Sequence, residues 1–240
     1  MAPTNVSALG SHRDSPRDRT AEIERLRAKM QRLQQQSVPG RSIATHPALA
    51  RLVELRAGAA YGVDNSTLAL LMLAGPSAAG EWATVIGVPD FGAEAAAELG
   101  VRLERTILVP EPGESWLEAV AALVDVTGLV VVRPPARVPE RTAERIGARL
   151  RTRGAALVAL GAPGTWPRAE AHLSVVEPRW AGVGRGEGFL AARELVVEVR
   201  RSAGVRAARR ETLWLGEPGV TRPGVELPEA PEAAGYEAAG

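Results

Sequence analysis

The sequence predicts one α/β domain with a mostly parallel central sheet flanked by helices and antiparallel strands added at one edge near the C-terminus. Three observations predict it. The chain has 240 residues, 45% of them hydrophobic, which suffices for one substantial core and would be cramped as two full domains. From about His46 to Arg201, short apolar runs alternate with longer Ala-, Leu- and Arg-rich stretches, the rhythm of parallel strands joined by right-handed helical crossovers. After Leu160 the helical stretches drop out, and strand-like runs follow one another directly.

The elements follow in order. Residues 1–19 are polar, with Pro3, Pro16 and a mixed Arg/Asp run, so little there repays the entropy of ordering, and a disordered tail is expected. Thr20 is placed to cap a helix over residues 20–37, with Glu22 and Glu24 near the positive end of its dipole. Its apolar residues Ile23, Leu26, Met30 and Leu33 recur at spacings of three, four and three, an a/d seam two heptads long. A helix of this length is marginal alone, so the seam is expected to dock on this core or on a partner.

The core is expected over residues 46–215. Its strand candidates are Leu52–Arg56, Trp82–Val88, Thr106–Val109, Leu129–Val132 and Ala155–Leu160, and its helix candidates Ser66–Ala78, Phe91–Leu99, Ser115–Val126 and Arg141–Arg151. His172–Val176, Phe189–Leu190, Glu194–Arg200 and Thr212–Leu215 are the runs expected to add antiparallel strands. Residues 216–240 hold five glutamates against Arg222 together with many Pro and Gly, which predicts a flexible acidic tail.

Charge and composition narrow the function classes. Twenty-nine basic against twenty-eight acidic residues leave +1, too little for a chain that coats a polyanion, so any nucleic-acid contact is a local patch. There is no cysteine, and His12, His46 and His172 are scattered, so neither a disulfide nor a metal centre is expected. No leader-like or membrane-spanning apolar stretch stands out, and a cytoplasmic protein is expected.

An α/β domain of this size invites a nucleotide-binding reading, which the turn after the first predicted strand tests. Ala57 to Thr67 offers Gly58, Gly62 and Ser66, but Asn65 stands where a phosphate-binding loop needs lysine. The single lysine of the chain, Lys29, lies outside the core. After the predicted strand Leu129–Val132, where a magnesium-holding acid is needed, stands Arg133. No cofactor is therefore expected, and no acid–base pair or serine-nucleophile elbow offers other chemistry. Two features remain. Arg200, Arg201, Arg206, Arg209 and Arg210 with Trp214 read either as a grip for phosphates and a base or as a solvated edge. Five tryptophans stand among nine aromatics; Trp166 and Trp180 fall in predicted loops, where each reads either as an exposed interface anchor or as buried packing.

The stretch from Trp82 to Gly92, the helix ending at Glu98 to Val101, Thr106 to Gly113, Leu129 to Val132 and Glu194 to Arg201 together resemble the RecA core beyond its phosphate loop, over roughly residues 48–201. Within that superfamily the chain looks most like the RecA-like mutasome accessory proteins of the ImuA type, in their actinobacterial style. The resemblance implies a RecA-like core and a damage-induced, SOS-linked role in translesion synthesis. The implied partners are a Y-family-like polymerase subunit and an error-prone replicative-type DNA polymerase, with RecA, single-stranded DNA or further copies of the chain as additional candidates. Carried over, the lysine position falls at Asn65, the hydroxyl at Ser66, the catalytic glutamate near Pro89 or Asp90 and the magnesium aspartate at Arg133. Only the hydroxyl is kept, so no ATPase activity is expected. The division inhibitors of the SulA type, whose partner is a tubulin-like protein, are also small, RecA-like and silent, and form the alternative.

Overall fold

A computed structural model describes residues 40–181, 192–202 and 208–216. Ten strands and four α-helices appear among them. Ser42–Ile43 (β1) and Leu55–Arg56 (β2) form an antiparallel ribbon apart from the main sheet. The main sheet contains Ala60–Val63 (β3), Ala83–Ile86 (β4), Thr106–Val109 (β5), Leu129–Val132 (β6), Ala156–Leu160 (β7), Ala171–Ala181 (β8), Ala192–Arg201 (β9) and Arg209–Gly216 (β10). Its spatial order is β10-β9-β8-β3-β7-β6-β4-β5. The helices are Ser66–Ala78 (α1), Ala93–Glu98 (α2), Trp116–Val124 (α3) and Glu140–Arg153 (α4).

Every pair from β8 through β5 runs parallel. The residues of β4, β6 and β7 are buried without interruption, as strands covered on both faces require. α1 and the neighbourhood of Ala96 on α2 cover Val63, Val85, Val131 and Val158 on one face. Val120 and Val124 of α3 and Ile146 and Leu150 of α4 cover Ile86, Val130, Val132 and Leu157 on the other. The chain thus moves outward from β3 to β5 with its helices on one side and returns through β6 and β7 with them on the opposite side.

Local chemistry sets the helix ends. The Asn65 side chain accepts from the Thr67 N–H at 2.9 Å and starts α1. Gly154, at φ +69°, ends α4 in the left-handed conformation, with Arg151 and Arg153 in the last turn. α1 is buried almost all round, the mark of an inner helix rather than an amphipathic surface one. No helix among the described residues is long and apolar enough to cross a membrane.

Two expectations need correction. The first strand of the main sheet is Ala60–Val63; of the expected strand Leu52–Arg56 only Leu55–Arg56 is a strand, and it pairs with β1 in the separate ribbon. Leu52, Val53 and Leu55 are buried in the α1-side core, so their hydrophobicity reports packing there and not a place in the main sheet. The run His172–Val176 also proves parallel to its inner neighbour: β8 continues the parallel sheet beside β3, and antiparallel pairing begins with β9 and β10. Residues 1–39 and 217–240, together with Phe189–Leu190, lie outside the described residues.

Candidate functional site

In open α/β sheets, ligands bind beyond the carboxyl ends of the strands where successive helices part to opposite faces. Here that point lies between β4, which leads into α2, and β6, which leads into α4. Gly87 follows β4 at φ +71°, and a Cβ there would stand 2.8 Å from the Arg133 carbonyl oxygen, so glycine lets the two strand ends meet. The Arg133 N–H donates to the Ile86 carbonyl at 2.9 Å. Its guanidinium reaches Asp90, Nη1 to Oδ1 at 2.6 Å and Nη2 to Oδ2 at 3.4 Å. That hydrogen bonding holds the Asp90 carboxyl below the usual carboxylate range.

Arg133, at the magnesium position of the resemblance, thus pairs with Asp90, one of the two residues near which its catalytic-acid position falls. A carboxylate engaged by an arginine is a poor ligand for magnesium, which needs oxygen donors free to turn toward it. No acidic or histidine cluster able to hold a metal ion occurs among the described residues. Beside the pair, between α1 and residues 88–92, a cleft of about 30 Å³ remains, lined by Leu70, Leu73, Val85 and Phe91 among others. That is room for about one water.

The residues read as a phosphate loop are not brought together. β3 and α1 are joined by Asp64 and Asn65 alone, too short for converging backbone amides to surround a phosphate. Asn65 is spent as the helix cap, and the Asp64 carboxylate accepts from the Val175 N–H at 3.2 Å. Ser66 opens the helix, and the next hydroxyl, that of Thr67, accepts from Arg193 at 3.0 Å. Gly62 lies within β3, opposite His172, and Gly58 lies before β3, at the other end of the strand, with φ +86°. A turn rich in small residues was in fact a strand whose small side chains fit its neighbours.

The arginine stretch is divided. β9 alternates, so Glu198 and Arg200 share one face and Val197 and Val199 enter the core on the other. Glu198 sits opposite Arg210, and its two oxygens meet Arg200 Nε at 2.6 Å and Arg210 at 2.7 Å. The carboxylate is 5% exposed, covered by the two arginines rather than by core, and hydrogen bonds from Arg210 and then Arg200 hold its pKa low. Arg209 pairs with Glu211 at 3.5 Å and Arg201 with Glu170 at 3.8 Å. Trp214 is half-buried on β10, opposite Glu194. Arg206 and the seam Ile23, Leu26, Met30 and Leu33 lie outside the described residues.

Sequence reasoning missed Glu198 and the pairing of Asp90. The alternation Glu198-Val199-Arg200 signals one shared face, but the contribution of Arg210 depends on strand register, which the sequence does not carry.

Residues 48–168 match the family model described as the MT3502 N-terminal domain. That span runs from the cap before α1 to the loop before β8. The chain is also 33% identical over 155 residues to a Mycobacterium tuberculosis protein, "Uncharacterized protein Rv3395c", across 64% of this chain and 75% of that one. With half its length in the family model and most of the relative's length aligned, the chain belongs to the MT3502 N-terminal domain family.

Proposed function

We propose that this chain is a non-catalytic, RecA-like accessory protein of the ImuA type, which scaffolds an error-prone polymerase complex in SOS-induced translesion DNA synthesis. The observation that carries the reading is the Asp90–Arg133 ion pair at 2.6 Å in the crevice of a parallel sheet. On this reading an arginine stands where a magnesium-holding acid would be needed and engages the nearby carboxylate, so the chain's surfaces rather than phosphate chemistry carry its role. The two-residue β3–α1 connection supports the same reading independently. On this proposal the chain works by holding partners: a Y-family-like polymerase subunit, an error-prone replicative-type DNA polymerase, and RecA or single-stranded DNA.

Affinity capture of the tagged full-length chain from DNA-damaged cells, with identification of what is retained, tests it. Recovery of the two polymerases, lost on replacing Leu26 and Leu33 with Asp, is the expected result. Recovery of a tubulin-like division protein in their place refutes the mutasome role and selects the SulA-type alternative.

A further inference from the structure

We infer that the chain carries a second site, for a compact organic anion: a carboxylate or phosphate monoester on a flat or apolar body, bound between α4 and the segment joining β7 to β8. The cavity there measures about 470 Å³, within the range of small-molecule sites. It lies at the entry of β3, the opposite end of that strand from the Asp64–Asn65 connection.

Its floor is built from residues that end at Cα or Cβ: Gly58 and Ala60 on the approach to β3, and Ala143 and Gly147 one turn apart on α4. Little projects from Ala60, Ala143 and Gly147, so a planar body can lie close to the backbone beside them. Gly58 is required twice over, by its φ of +86° and because Arg151 crosses it, with Cγ 2.7 Å from where a Cβ would stand. Trp166, 5% exposed, forms one wall.

The charges on that wall decide the ligand. Arg168 holds Glu140 at 2.9 Å and Glu144 at 2.7 Å, and Glu170 is drawn toward Arg201 at 3.8 Å. Arg168 is the one non-glycine residue at positive φ among the described residues, +59°. Its side chain spans from the loop to α4, so the far wall is set in place before a ligand arrives. No hydrogen bond or ion pair joins the exposed Arg151 guanidinium or the indole N–H of Trp166 to another described residue. The cavity therefore presents two donors with no protein partner among the described residues, one of them charged, while Arg168 holds the Glu144 carboxylate on its wall. A ligand that answers those donors brings acceptor oxygens and negative charge. This site is independent of the polymerase reading.

The test uses the full-length chain with ¹⁵N-labelled tryptophan, following the indole resonance of Trp166, identified by its loss in W166F. Adenosine monophosphate and 2-naphthoate are titrated, with adenosine as the neutral control. At least one of the two anions is expected to shift the resonance saturably while adenosine does not. Arg151→Ala is expected to weaken binding about tenfold, the value of a charge-assisted hydrogen bond. Gly147→Leu, which extends into the cavity from a position with only Arg151 Nη1 nearby at 3.5 Å, is expected to abolish binding while the thermal midpoint holds. No saturable shift up to about 10 mM of either anion, equal binding of adenosine, or indifference to R151A overturns the inference.

Discussion

At Gly62 a missing methyl group decides how β3 and β8 fit. A Cβ there would stand 2.2 Å from His172 Nδ1, inside any permissible contact, so the imidazole occupies the space where a side chain would be. Gly62→Ala is expected to cost about 1–3 kcal/mol through overpacking, and His172→Ala to restore much of that loss. Urea unfolding of the two single variants and the double variant measures the coupling, and strict additivity would show that the ring does not set the fit. Burial also holds the His172 pKa below its ordinary 6.5, and Arg200 lowers it further while Asp64 pulls it up. Because the folded-state value lies below the unfolded one, the unfolded chain takes up the proton first. Stability is therefore full above about pH 6.5 and falls as the pH drops through the folded value. Denaturation midpoints at pH 7.5 and pH 5 are expected to differ less in His172→Asn than in the parent. His46, also lowered by burial, accounts for part of the slope that remains. At the crevice, the double change Asn65→Lys and Arg133→Asp restores the two charges that the sequence lacks. It is still expected to give no ATP hydrolysis and no micromolar binding of Mg²⁺–ATP by calorimetry, because two residues between β3 and α1 cannot form the loop.

Among the elements, α1 was legible in the sequence from Ser66 to Ala78, and its caps and burial agree with that reading. What the sequence conceals is why Gly75 stands inside it. A Cβ on Gly75 would meet the His46 backbone nitrogen at 2.5 Å and the Ala44 carbonyl oxygen at 2.6 Å, so a backbone segment lies directly on the helix. Glycine-to-alanine changes in helix interiors ordinarily gain about 1 kcal/mol. Here Gly75→Ala is expected to lose roughly 1–3 kcal/mol, read as a lower urea midpoint with unchanged slope. The β9–β10 pair behaves similarly: its arginines were visible, their neutralisation was not. If this face contacts nucleic acid, Glu198→Gln releases Arg200 and Arg210 and is expected to tighten single-strand binding, with a steeper dependence on salt. Unchanged affinity at two ionic strengths would remove these strands from any nucleic-acid interface.

For the whole molecule, the sheet has two characters. From β5 to β8 it is parallel, and β5, β4, β6, β7 and β3 fall inside the family match at residues 48–168. β8, β9 and β10 lie beyond that match. The extension carries paired arginines, and the chain then continues into residues 217–240, with five glutamates and one arginine. If the acidic segment competes with an anionic partner for this face, deleting residues 217–240 is expected to raise affinity for labelled single strands or the polymerase-like subunit, most at low salt. Equal binding by the parent and the deletion would show that the segment does not compete.

The sequence by itself determined the α/β class, the number and type of the central helices, and the strands β4, β5, β6 and β7 to within a few residues. These rest on continuous apolar runs and helical spacing, which local chain geometry converts directly into structure. Only the tertiary structure decided that Ala60–Val63 is a strand and not a phosphate loop, since Ala and Gly carry no periodic signal and take their meaning from neighbours such as His172. It alone also decided that Asp90 meets Arg133 and that Glu198 meets Arg210. An ion pair is a relation between residues 43 or 12 positions apart, and the order and register of strands, which one chain's pattern does not encode locally, bring them together.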